Sequence, residues 1–290
     1  MVEVSGTLLA QVIVDGILTG ALYALAALGL ALIWGVVEVI NFAHGEFIMI
    51  GSFLAYFLFI YLGLDPLLSI PLSFLVGFAL GYLIQLGIIN RILEAPFYSQ
   101  IFATFAILLI LRNSFYVALG PDVRSLSTWY SEEVVEIWGV RISFIKIIIA
   151  IVAVASIILL HLFLSKTFLG SAMRAMSQDR VAARLIGVNV KRTYSLAFGI
   201  STGLAGVAGS LLASFYYIYP EMGVPFTLIA FISVVLGGFG NIIGPVIGAF
   251  IIGITQNIGA IILIPSMKDV LVYILFLAFL LLRPTGIFKR

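Results

Sequence analysis

The 290-residue sequence contains no cysteine, two histidines and charged side chains at only 10% of positions. Without cysteine there are no disulfides, no thiolate nucleophile and no cysteine metal site. A soluble domain carries about a quarter charged residues, so an ordinary water-soluble fold is excluded. The net charge of +2 is too small to point to nucleic acid as a partner. No G-x-x-x-x-G-K-[ST] loop occurs, and the glycines of GGFGNIIGPVIG (237–248) lack the Lys-Ser/Thr ending, so nucleotide is not hydrolysed by that route. Polar residues scattered through apolar runs (Gln85, Arg112, Asn113, His161, Gln256, Asn257) show no triad or paired-carboxylate spacing. His44 with Glu46 alone falls far short of a metal-ligand set. No catalytic residue, metal or cofactor is assigned.

What the chain has instead is apolar length. It is 63% hydrophobic, with a mean hydropathy of +1.25. Runs of about 20 apolar residues suffice to cross a bilayer, and the short alternating segments of a β-barrel are absent. The expected fold is all-α, a polytopic membrane bundle occupying 1–290 as a single domain. Spans are placed near 12–37, 47–63, 67–89, 99–119, 143–165, 193–219, 226–238, 243–264 and 268–283. The interruption at 237–241 leaves eight spans plus a re-entrant segment as the other reading. The first run has no basic n-region before it and reads as a retained span.

Six of the fifteen Lys and Arg residues lie in 166–192: Lys166, Arg174, Arg180, Arg184, Lys191 and Arg192, against one acid, Asp179. The positive-inside rule makes this loop cytoplasmic, which places the N-terminus outside. Four spans after the loop then bring the C-terminal tail, with Arg283, Lys289 and Arg290, to the cytoplasm. Within the loop, 171–186 has helix-forming residues and no proline, and Gly187 stands as a C-terminal stop. Such a helix fits either lipid phosphates at the membrane surface or a cleft on a cytoplasmic subunit.

Glu38, Asn41, His44 and Glu46 crowd into EVINFAHGE (38–46), with Gly45 expected to break the helix. The segment is either a helix break lining a polar path or a solvated cytoplasmic turn. Tyr216 and Tyr217 form an aromatic end after a glycine-spaced span, explained by an interfacial belt or by a substrate vestibule. Arg112 is expected to snorkel to the surface. GILTGAL (16–22) and GISTGLA (199–205) echo each other, as internal repeats do in many transporters.

The segments YALAALGLALIWGVVEVINFAHGEFIMIGSF (23–53), RAMSQDRVAARLIGVNVKR (174–192), VLGGFGNIIGPVIGAFIIG (235–253) and RPTGIF (283–288) resemble the LivH-type branched-chain amino acid permeases of ABC importers. VAARLIG (181–187) is similar to the E-A-A-x-x-x-G docking signature of such permeases, with Val181 in place of the Glu. The resemblance implies a type II-like permease fold and ATP-driven import by alternating access. It also implies partners: a homologous second permease, two cytoplasmic ATPases, an extracytoplasmic binding protein, and the lipid bilayer of a prokaryotic cell membrane. Coupling to the ATPase would fall to Arg174, Asp179, Arg180, Ala182, Ala183, Arg184 and Gly187. A pathway or helix-break role would fall to Asn41, His44, Gly45, Glu46, Tyr216 and Tyr217. Urea and short-amide permeases share much of this framework and remain the alternative, ahead of a stand-alone channel or secondary transporter.

Overall fold

This computed structural model describes residues 6–238, 243–283 and 285–288. The helices are α1 (Gly6–Val36), α2 (His44–Leu62), α3 (Ile70–Ile84), α4 (Asn90–Ile92), α5 (Phe97–Leu119), α6 (Trp129–Glu132) and α7 (Phe144–Lys166). They continue as α8 (Phe168–Gln178), α9 (Arg180–Leu185), α10 (Val190–Leu212), α11 (Gly223–Gly237), α12 (Ile243–Ile262) and α13 (Lys268–Leu282). A π-helical turn, Gln85–Ile89, joins α3 to α4. A two-stranded antiparallel hairpin, β1 (Val134–Ile137) and β2 (Val140–Ser143), precedes α7. Among the described residues, eight helical segments are long and apolar enough to cross a membrane, and α11 is a ninth, shorter apolar helix. The chain is a multi-pass α-helical bundle. The interruption expected at 237–241 lies mostly outside the described residues, as do Lys289 and Arg290.

Contacts between the ends of these helices orient the bundle. The start of α1 meets the hairpin, where Gln11 bonds the Arg141 backbone at 2.7 Å and Asp15 pairs with Lys146 at 2.9 Å. We call this the hairpin end; α7 runs from it to the opposite, basic end, where α8 and α9 lie.

The core is built on α1 and α10. From Gly20 to Ile33, α1 is buried on every side, which a helix apolar all round requires. Lipid gives such helices no hydrophobic reason to associate, so close backbone approach and polar links hold them together. A Cβ on Gly51 would lie 2.2 Å from the Gly206 carbonyl oxygen, so only glycine allows α2 and α10 to cross there. Ser52 Oγ donates to the Gly209 carbonyl at 2.7 Å and Thr202 Oγ1 to that of Gly77 at 2.8 Å, tying α10 to α2 and α3.

The helices α1, α2 and α3 have counterparts in α10, α11 and α12, running the opposite way. Each set is a long helix, a non-helical return, a shorter helix and then another span. The long helix of one set lies along the third helix of the other: α1 on α12 through Gly16, Gly20 and Gly253, and α10 on α3 through Thr202, Gly77 and Gly81. GILTGAL and GISTGLA occupy these matching faces.

The tail returns to the basic end. Ile287 N–H donates to the Leu236 carbonyl at 2.9 Å and Phe288 N–H to that of Gly237 at 3.2 Å. These two carbonyls belong to the last turn of α11, which has no partner of its own for them. Part of the RPTGIF motif is thus a cap for α11.

Candidate functional site

The segment 37–43 breaks the chain between α1 and α2, and Glu38 holds a left-handed φ of 60°, a conformation that costs a non-glycine residue about 1–2 kcal/mol. From the basic end the chain climbs back along α1 before α2 begins. His44 Nε2 bonds the Ala26 carbonyl at 2.9 Å; a carbonyl only accepts, so Nε2 carries the proton. Ala26 is ten residues before the end of α1, about 15 Å at 1.5 Å per residue. The first turn of α2 therefore sits near mid-depth, which excludes the solvated-turn reading.

Gly45 is inside that first turn and does not break the helix, a correction to the sequence expectation. Its role is contact: a Cβ there would lie 2.2 Å from the Gly223 carbonyl oxygen, and one on Gly223 would lie 2.0 Å from that of Gly45. The N-terminus of α11 thus abuts the N-terminus of α2 at mid-depth. Each brings the partial positive end of its helix dipole. The backbone turn before α2 is shaped by Asn41, whose Oδ1 accepts from Ala43 N–H at 3.1 Å.

Glu46, 2% exposed, pairs with Arg112 of α5: Nη2 lies 2.5 Å and Nε 3.2 Å from Oε1. Arg112 does not snorkel. Burial of Glu46 favours pairing with the half-buried Arg112, because an unpaired buried charge costs about 3–5 kcal/mol. Two turns earlier on α5, Thr104 Oγ1 donates to the Ile40 carbonyl at 2.9 Å. The residues of α5 are largely exposed, with Thr104 and Ile107 buried, so these polar links fasten it to the break. The sequence signal was available: a cation inside an apolar run calls for a buried counter-charge, and 104 and 112 share a helix face.

Tyr216 and Tyr217 do not join Asn41, His44 and Glu46. Tyr216 is half-buried with its ring 5.5 Å from Phe226, and Tyr217 is 65% exposed. A separate polar group on the interior side links Tyr23, whose hydroxyl donates to Gln256 Oε1 at 2.5 Å, to Asp269 through Gln256 Nε2. At the hairpin end, Tyr130 donates to Asp65 Oδ1 at 2.8 Å, and burial pushes its phenol up to about 12.

The basic loop is three capped helix starts in succession. Thr167 Oγ1 accepts from Gly170 N–H, Asp179 Oδ1 from Val181 and Ala182 N–H, and Asn189 Oδ1 from Arg192 N–H. The single helix expected over 171–186 is therefore two, α8 and α9, because extended backbone at Asp179 with a carboxylate N-cap ends one and starts the next. Gly187 is the stop expected, at φ 92°, with Val188 N–H closing back on the Ala183 carbonyl at 3.0 Å.

Of the loop residues, Ala183 is buried and Arg174, Asp179, Arg180, Ala182, Arg184 and Gly187 are exposed. Leu185 and Ile186 are also exposed, at 83% and 79%. The Arg180 guanidinium stacks over Tyr194 at 5.6 Å and lines two hollows. A groove of about 820 Å³ runs past Asn90, Arg91, Glu94, Arg184 and Lys191. A pocket of about 320 Å³ includes Glu38, Gln100 and Tyr194. The loop and the α1–α2 break thus share a wall.

The family model described as branched-chain amino acid transport system / permease component matches residues 12–280. The chain is 32% identical over 293 residues to the high-affinity branched-chain amino acid transport system permease protein BraD of Pseudomonas aeruginosa, spanning 97% of this chain and 95% of that one. Identity is also 32%, over 295 residues and with the same coverage, to the permease protein LivH of Escherichia coli strain K12. It is 25% over 263 residues to the permease protein LivM of Salmonella typhimurium, covering 82% and 61%. No solved structure matches the chain.

Proposed function

The chain belongs to the branched-chain amino acid transport system permease component family, and on that premise we propose that it is the membrane-spanning subunit of an ATP-driven importer, moving branched-chain, hydrophobic amino acids into the cell by alternating access. The observation that carries this reading is the match over nearly the whole chain to permeases named for that cargo. None of the relatives named above is a urea or amide permease.

Energy has to come from outside the chain, since its sequence holds no phosphate-binding loop of the P-loop kind. We assign that task to two cytoplasmic ATPase subunits docking on α8 and α9. Exposed Leu185 and Ile186 beside Arg180 and Arg184 offer apolar contact framed by charge, the composition of an interface. A second, homologous permease completes the membrane pair, and an extracytoplasmic protein delivers the substrate; the likeness to a LivM permease supports the first of these.

Arg91, Lys166, Arg174, Arg180, Arg184, Lys191, Arg192 and Arg283 gather at the basic end, so this end faces the cytoplasm. The N-terminus is then outside and the tail cytoplasmic. The Arg180–Tyr194 stack and the pocket it shares with Glu38 form a route from α9 to the break before α2. For coupling, the ATPase states must favour different arrangements of that break.

The test is uptake by the complete transporter in proteoliposomes. ATP-dependent accumulation of radiolabelled leucine, displaced by isoleucine and valine and unaffected by urea, is expected. Urea accumulation, or leucine uptake without ATP hydrolysis, would refute the proposal.

A further inference from the structure

The Glu46–Arg112 pair is incomplete in a specific way. Arginine and carboxylate usually meet through two parallel bonds that use both oxygens. Here Nε and Nη2 both converge on Oε1. Glu46 Oε2 is buried and has no hydrogen-bond partner among the described residues. The pair therefore holds a free acceptor, and the guanidinium still has donor capacity at Nη1. Glu221, just before α11, lies within electrostatic reach of Glu46. Tyr116, one turn beyond Arg112 on α5, lies within electrostatic reach of Glu221. Glu221 is exposed. Further along the same two helices, Phe53 of α2 and Phe115 of α5 meet at 5.0 Å, and the Arg124 guanidinium packs 5.8 Å from the Phe53 ring.

We infer that this cluster is the polar half of a site for a zwitterionic α-amino acid, whose ammonium sits between Glu46 Oε2 and Glu221 and whose carboxylate takes Arg112. The inference rests on the permease reading above and gives that reading a place for its cargo. Two carboxylates and one guanidinium leave the cluster at −1. A lone anion is opposed by that charge, and a lone cation gains nothing from Arg112. A neutral amide engages neither sign strongly. A zwitterion meets both, trading its hydration for opposite charges at a depth where unpaired charge is costly.

The test uses the complete transporter with L-leucine as the probe. The double variant Glu46→Gln/Arg112→Gln keeps hydrogen bonding and strands no buried charge. Uptake at low leucine is expected to fall by about 100-fold or more, as for a site stripped of the groups that bind a polar ligand, with the complex still assembled in the membrane. An assembled double variant with wild-type uptake would overturn the inference. Should the double variant fail to assemble, Glu221→Gln decides: at this exposed rim position a leucine KM raised about tenfold supports the site, and an unchanged KM overturns it. A wild-type complex that carries no leucine, isoleucine or valine fails differently, removing the transport reading and the site with it.

Discussion

Replacing Gly45 with alanine adds one methyl group at the meeting point of α2 and α11, and the structure sets the scale of the effect. The new Cβ would lie 2.1 Å from Thr227 Oγ1 and 2.2 Å from the Gly223 carbonyl oxygen. Thr227 is able to rotate away; the Gly223 carbonyl, part of the α11 backbone, is not. Relief requires the two helix starts to separate by roughly 1 Å, which forfeits a quarter to a half of the dispersion attraction across the contact. Overpacking of this kind costs about 1–3 kcal/mol, and a backbone obstacle places it at the upper end. Alanine returns about 1 kcal/mol in helix propensity, so the net loss is about 2 kcal/mol. In detergent this corresponds to a fall of about 3 °C in Tm for a chain of this length, read by thermal unfolding of the purified chain. Gly87→Ala is the control, since nothing lies within 4 Å of the Cβ it would add; it should leave Tm unchanged or raise it slightly. Adding Thr227→Ala to Gly45→Ala should recover little. A Gly45→Ala protein as stable as wild type, or full recovery through Thr227→Ala, would refute the claim that backbone meets backbone here.

Reversing the charge of α9 with Arg180→Glu and Arg184→Glu should abolish ATP-driven uptake while membrane insertion, measured by immunoblot of membrane fractions, stays normal; normal uptake would remove the docking role of this loop. Tyr130→Phe should cost about 1 kcal/mol through loss of the bond to Asp65, seen as a modest drop in Tm. Because folding raises this phenol from the ordinary 10 to about 12, its contribution is complete below pH 10 and is lost as pH rises through 12. A wild-type minus Tyr130→Phe stability difference that vanishes at pH 8 would contradict that assignment.

Apolar run length located the spans, and clustering of Lys and Arg located the loop that orients them. Both are properties of contiguous sequence. Gly187 was equally legible, because a stop after helix-forming residues is a local event. The division at Asp179 was local too: an aspartate followed by Arg-Val-Ala-Ala is an N-cap, and helix propensity on either side concealed it. Arg112 and Glu46 are 66 residues apart, so no window of sequence joins them; only the requirement that buried charges find partners hinted at the pair. The depth of EVINFAHGE escaped for a related reason. A polar run between two apolar ones has the composition of an aqueous turn, and its return alongside α1 depends on His44 reaching Ala26. The matching of α1–α3 with α10–α12 shows in sequence only as a short glycine echo, since helices that face lipid tolerate many apolar residues and keep the small ones where backbones touch.

The bonds from Ile287 and Phe288 to the last turn of α11 impose an order on synthesis. Helix α11 emerges from the ribosome before α12 and α13, with its final carbonyls still lacking those partners. Domains and their elements fold as they are made, yet this central helix is finished only by a segment translated after two more spans. A chain cut short before residue 287 would insert its spans and still hold an uncapped helix end against the core. The last turn of α11 is thus completed only once residues 287 and 288 have been made.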